Sequence, residues 1–271
     1  MHPSVRRGLS SSPNGITHMY RKRNVLRLSC ALAAALLGNE AVADDAPAST
    51  LTGSLALTSD YLFRGISQTD QDPALQGGVE YAHASGFYVG AWGSNVSWLS
   101  DLSSADVPIS SSLEVDAYAG WRGNVGETLK LDAGLYTYVY PGDYPHGFTR
   151  PHTTEVYLGV GAGPFSLKYS HSVTNLFGFY DSKNSGYLDA SLNYEFVPTW
   201  TLNAHAGRQR VKNNSAASYT DWKLGATKAF EGGWSLAVAY FDTNADRSAY
   251  TNPYGRYLGR ATGVATLTKS F

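Results

Sequence analysis

Two groupings of histidine are the first candidates for chemistry. His83 stands two residues before Ser85 in His83-Ala84-Ser85-Gly86, and Asp143, His146 and His152 fall in one segment. Hydrolysis by a serine needs a base within hydrogen-bond reach of the hydroxyl and a third group that orients the base. Ser85 sits in a turn-forming sequence, where a short hydroxyl bonds its own backbone. Asp143, His146 and His152 are too loosely spaced to make a metal site. The single cysteine, Cys30, lies in the N-terminal segment, so residues 44–271 carry no thiol or disulfide chemistry. The expectation is therefore no catalytic residue, no metal and no cofactor.

A stronger pattern is formed by charged residues that alternate with apolar ones. Leu113, Val115, Ala117 and Ala119 alternate with Glu114, Asp116, Tyr118 and Gly120, and Leu129, Leu131, Ala133 and Leu135 with Lys130, Asp132, Gly134 and Tyr136. Similar splits recur at residues 188–193 and 202–207. A period of two is that of a strand with one apolar and one polar face. The polar face collects the acids Glu80, Glu114, Asp116, Asp132, Glu155, Asp189, Glu195 and Asp221, the bases Lys130, Lys168 and Lys223, and His205. Tyr88, Tyr118, Tyr136, Tyr138, Tyr157 and Tyr187 share that parity, whereas His83 and His171 fall on the apolar one. Lys130 is expected to neutralise Glu114 or Asp116 on the neighbouring strand.

The strands that carry these residues are joined alternately by short and long connections. Short turns are read at 83–86, 123–126, 162–164, 197–199 and 231–233. Longer loops centre on 62–73, 97–110, 141–151, 173–184, 211–217 and 243–258. Five turns and six loops require twelve strands, and long loops on one rim with short turns on the other are the layout of an outer-membrane barrel. The fold class expected is all-β, a twelve-stranded antiparallel transmembrane β-barrel with its apolar parity outward. A one-residue slip would set Glu114, Asp116 or Lys130 against acyl chains. That costs about 2–4 kcal/mol for each midplane base and less for acids. Phe87, Trp121, Phe165, Phe196, Trp200, Phe230, Trp234 and Phe271 share the outward parity and gather beside the short turns or the C-terminus, as an aromatic girdle would. The last strand, ending in Phe271, resembles the signature recognised by the barrel assembly machinery, with Lys269 departing from the usual apolar choice and free to snorkel.

The N-terminus reads as an address. Arg21, Lys22, Arg23 and Arg27 precede the apolar run Leu28 to Gly38, and Ala41-Val42-Ala43 supplies a cleavage site, with translation starting at Met19. The expected organisation is 1–43 extension and export signal, 44–52 flexible periplasmic tail, and 53–271 barrel in the bacterial outer membrane. Six of the 21 basic and one of the 22 acidic residues precede residue 44, leaving 15 against 21 and a net charge of −6. No basic patch points to nucleic acid.

Eight acids against three bases make a negative lumen, which draws cations. Expected partners are outer-membrane lipids, the assembly machinery and small polar solutes passing by diffusion, with cations preferred. Twelve strands lie between side-chain-filled and open barrels, so a plugged structural or adhesive barrel with tyrosine tips at Tyr140, Tyr144, Tyr180, Tyr250 and Tyr254 stays open as an alternative. So does an outer-membrane lipase or protease. The block Ser59-Asp60-Tyr61-Leu62-Phe63-Arg64-Gly65-Ile66-Ser67-Gln68-Thr69, continued by Pro73-Ala74-Leu75-Gln76-Gly77-Gly78 and Gly86-Phe87-Tyr88-Val89-Gly90, resembles the TorF family of porin-like proteins. The resemblance covers essentially the whole chain after the signal. It implies an outer-membrane location and a transport role but no solute and no functional residues. Within the block, Arg64-Gly65 is expected to bend over the pore mouth as a constriction, Arg64 facing Asp60, Glu80 or Glu114. The alternative is that Arg64 simply staples the loop to the rim.

Overall fold

Strands with one apolar and one polar face, joined by turns of two to four residues, curl into a sheet whose edges meet. The computed structural model describes residues 49–271. The export signal and the Met19 start lie outside the described residues, as does most of the tail. The strands are β1 (Thr50–Thr58), β2 (Leu62–Phe63), β3 (Ile66–Ser67), β4 (Ala74–Ala82), β5 (Phe87–Asn95), β6 (Leu113–Val125), β7 (Leu129–Val139), β8 (Thr153–Ala162), β9 (Phe165–Ser172), β10 (Gly186–Val197), β11 (Trp200–Arg210), β12 (Tyr219–Ala229), β13 (Trp234–Thr243) and β14 (Thr262–Ser270). All but β2 and β3 form one closed antiparallel barrel of twelve strands, in which β1 pairs with both β14 and β4. Thr50 already pairs with Ala82, so residues 50–52, expected in the tail, belong to the wall.

Five short turns and six long loops join the barrel strands, as the sequence leads one to expect. The loops span 59–73, 96–112, 140–152, 173–185, 211–218 and 244–261. Leu57, Leu75, Leu158, Leu224 and Leu267 stand exposed on the outer face, while Glu114, Asp116, Glu155 and Asp221 are each 1% exposed inside. A water-soluble barrel would bury the leucines, each worth roughly 1.5–3 kcal/mol. An apolar outer belt fits lipid as solvent. The rings of Phe87, Phe165, Phe196, Trp200, Phe230, Trp234 and Phe271 are exposed at the short-turn rim. Among the described residues no helix is long and apolar enough to cross a membrane.

The loop tyrosines divide. Tyr180 and Tyr254 are exposed tips, but Tyr140 is buried with Val96, Leu99 and Ile109, and Tyr250 packs with Tyr219 and Ile66. Apolar clusters of this kind draw the loops inward over the barrel mouth, so Tyr140 and Tyr250 are not the tips that the adhesive alternative would present.

The first loop goes furthest. β2 and β3 pair as a hairpin whose two turn residues are Arg64 (φ 50°) and Gly65 (φ 78°). Two-residue hairpin turns of this left-handed type need positive φ at both positions, which glycine gives freely. A Cβ on Gly65 would lie 2.7 Å from the Asp221 Cβ. The turn therefore reaches the inner wall at β12, far from where the loop leaves β1.

Candidate functional site: the lumen and the hairpin that crosses it

Arg64 sits at the hairpin tip, with its side chain 7% exposed. Its guanidinium donates to both carboxylate oxygens of Glu155 on β8, Nη2 to Oε2 at 2.6 Å and Nη1 to Oε1 at 3.1 Å, and to Gln209 Oε1 on β11 at 2.8 Å. The two-pronged pairing is the strong geometry for arginine and carboxylate. The guanidinium also lies over Tyr187 (4.2 Å) and Phe63 (4.8 Å). Burial works against its charge, but Glu155 together with Tyr138 and Tyr187 raises the arginine pKa above its ordinary value. On the twelve-membered ring β8 is five positions from β1, where six would be diametrically opposite. The hairpin thus spans the lumen.

This corrects the expected pairing. Arg64 faces none of Asp60, Glu80 or Glu114. Asp60 stays at the base of the loop, accepting hydrogen bonds from Ser67 Oγ (2.7 Å) and Thr69 Oγ1 (3.4 Å). Burial pushes its carboxyl pKa up. Ser67 and Thr69 hold the loop's base, and Arg64 holds its tip.

Below and beside the tip, the inward residues fall into three groups. In the first, His205 on β11 lies between two carboxylates, Nδ1 2.9 Å from Asp189 Oδ2 and Nε2 2.7 Å from Asp221 Oδ2. Tyr187 Oη donates to Asp221 Oδ1 at 2.9 Å, and Ser191 Oγ to Asp189 Oδ1 at 2.6 Å. Lys168 and Lys223 flank this group, near the rings of Tyr157 and Phe241. In the second, Tyr88 Oη donates to Asp132 Oδ1 at 2.5 Å and bonds the Tyr157 hydroxyl, while Arg122 lies 3.8 Å over the Tyr88 ring and pairs with Glu80 at 2.9 Å. The third holds Glu114 and Asp116, which take hydroxyls from Tyr61 (3.3 Å) and Tyr136 (2.8 Å). Neither makes an ion pair among the described residues, and Glu114 Oε2 and Asp116 Oδ1 are buried without a hydrogen-bond partner there.

Lys130 cannot serve that pair. It stands opposite Asn124 at the short-turn end, whereas Asp116 stands opposite Tyr138. Eight residues of strand at about 3.3 Å each put them roughly 26 Å apart. Glu195, also at the short-turn end, is exposed and accepts from the Thr199 backbone at 3.0 Å.

Sequence reasoning missed Arg122, although its even number on β6 gives it the inward parity of Glu114 and Asp116. It also missed Gln209 as a partner of Arg64. With Arg122 and Arg64 added to Lys130, Lys168 and Lys223, eight acids face five bases and His205, a smaller surplus than eight against three. On the long-loop side of Arg64 the loops enclose a cavity of 280 Å³, walled by Phe63, Trp98, Phe148, Phe177, Phe179 and Tyr250.

Two solved structures share this architecture. A KdgM porin matches at 8% identity over 82% of this chain and 98% of its own, with a TM-score of 0.51. A NanC porin structure in a rhombohedral crystal form matches at 12% identity over 82% and 99%, also with a TM-score of 0.51. At such identities the likeness is one of fold. No curated protein sequence matches the chain. Residues 42–271 match the family model Gcw_chp, described as a bacterial protein of unknown function, and to that family the chain belongs.

Proposed function

We propose that this chain is an outer-membrane channel for passive diffusion of small polar solutes, with cations preferred, and that the β2–β3 hairpin is its constriction. The observation that carries the reading is the hairpin itself. It projects an arginine across a closed barrel with a polar, charged lumen and an apolar exterior. Arg64 and Glu155 are both buried where they meet, so on this reading conduction requires Arg64 to leave Glu155. The cation preference rests on the surplus of eight inward acids over five bases and His205. The shared architecture with two porins and the resemblance of the Ser59–Thr69 block to the TorF family support the same reading, as does the sequence reading of 19–43 as an export signal.

The enzyme reading is the weaker one. His83 Nδ1 does lie 2.7 Å from Ser85 Oγ, but in an exposed turn where the same nitrogen also takes the Ser85 backbone N–H at 3.2 Å. His205 has both ring nitrogens engaged by carboxylates and none left to activate a nucleophile.

Osmotic swelling of proteoliposomes tests the proposal. Size-matched cationic, neutral and anionic solutes should enter in that order of rate. Folded barrels that admit none of them would overturn the channel, and an order led by anions would overturn the cation preference.

A further inference from the structure

The outer face of β11 near the long loops departs from the apolar belt beneath it. Leu202, Ala204 and Ala206 carry the outward parity through the membrane zone, and the same parity then gives Arg208 and Arg210, both exposed, with Lys212 exposed just beyond. Arg208 donates to Thr220 Oγ1 at 3.0 Å. Arg210 and Lys212 make no ion pair among the described residues. On the neighbouring strands, Arg210 stands opposite Gly186, which stands opposite His171, and Arg208 stands opposite Leu188, which stands opposite Tyr169.

Gly186 matters because it has no side chain to fill the row. A Cβ there would collide with the Tyr169 hydroxyl, so the tyrosine ring leans across the strand into that gap. The Tyr169 hydroxyl thus lies over Gly186, in the row that runs from His171 to Arg210, with Arg208 beside it. His171 Nε2 is 3.2 Å from Asn184 Oδ1. Next to it a hollow of 330 Å³ is lined by Arg210, Lys212, Ser215 and Ser218, which can donate to an anion, together with Val211 and Asn213. Asp181, on the neighbouring loop, accepts from the Asn213 amide at 2.9 Å.

We infer that this rim binds the phosphate groups of outer-leaflet lipid. The inference rests on the membrane placement proposed above. Leu188 faces lipid level with Arg208, and Leu224, opposite Ala204, faces it four residues lower, so Arg208 and Arg210 stand where the apolar belt gives way to the headgroup layer of the outer leaflet. Guanidinium groups suit phosphate through paired N–H donors. A bound lipid would also shield the unpaired charges at the edge of the belt.

The test has two stages. Folding of the purified chain into phosphatidylcholine vesicles, read as a heat-modifiable band, checks the membrane placement alone. The folded protein in neutral detergent is then titrated with a bis-phosphorylated glycolipid, with the same lipid after dephosphorylation, and with inorganic phosphate, and retained lipid is read by native mass spectrometry. The bis-phosphorylated lipid should bind and the dephosphorylated one should not. Arg208→Gln with Arg210→Gln should weaken binding roughly 25-fold, about fivefold for each base removed near a charged lipid surface. Equal retention of the two lipids, or an unchanged affinity in the double variant, would overturn the inference. So would full displacement by inorganic phosphate at equal concentration, which would assign the site to the free ion. Failure to fold into vesicles would instead refute the membrane placement.

Discussion

Replacing Arg64 by asparagine separates the two roles of the hairpin tip. Asn-Gly is a favoured pair for a two-residue turn with positive φ at both positions, so the turn keeps its shape while the charge is lost. Arg64 makes two hydrogen bonds to Glu155 and one to Gln209 from a buried position. Removing one partner of a buried ion pair costs about 3–5 kcal/mol, because the other charge is left without compensation. Relief of the left-handed conformation at a bulky residue returns about 1–2 kcal/mol. The seated hairpin therefore loses roughly 1–4 kcal/mol net, which multiplies the withdrawn population about 5- to 700-fold. Single-channel recording reads this as open probability. Glu155→Gln should raise open probability too. The double variant should show much less than the summed effect, because each single change has already broken the same contact. An open probability in the folded Arg64→Asn protein equal to that of the wild type would refute the hairpin as a gate.

Three further outcomes follow from other contacts. Gly65→Val places a Cβ against Asp221 at a φ of 78° that valine resists; the hairpin should unseat, and trypsin should then cleave after Arg64, which the wild type protects. Glu114→Gln with Asp116→Asn removes two of the eight inward acids. The reversal potential in a salt gradient should move toward the anion side, and no movement would place the selectivity elsewhere. Asp60 is the pH-sensitive group at the loop's base. Burial raises its pKa in the folded state, so that state holds the proton more tightly than the unfolded chain. Stability is then greatest below the ordinary carboxylate range and falls as pH rises through the raised value. Asp60→Asn should flatten that part of the curve of thermal midpoint against pH, and an unchanged slope would exclude Asp60 as its source.

The wall of this protein was legible because alternation has only one meaning in a closed sheet. Leu113 to Gly120 and Leu129 to Tyr136 name both faces without help from neighbours, and a barrel turns parity directly into inside or outside. Arg122 was legible by the same rule. The partners of Lys130 needed one more step. The short turn after Val125 sets Lys130 opposite Asn124, so register, not strand adjacency, decides which charges meet. The hairpin tip was legible only in part. Arg64-Gly65 announces a tight turn, but its reach to Glu155 depends on where loops 59–73 and 173–185 pack, with Phe63 against Phe177 at 5.3 Å. Contacts between residues so far apart in sequence leave no local pattern. The inward fold of Tyr140 and Tyr250 was hidden for the same reason: a tyrosine in a loop reads alike whether it caps the mouth or faces solvent.

Planar-bilayer recording of the folded protein under a KCl gradient decides whether the hairpin gates a cation-preferring channel. Stepwise currents of low open probability with a cation-selective reversal potential are expected, and longer openings once Arg64 is replaced by asparagine. A folded barrel that passes no current in either form would contradict the channel.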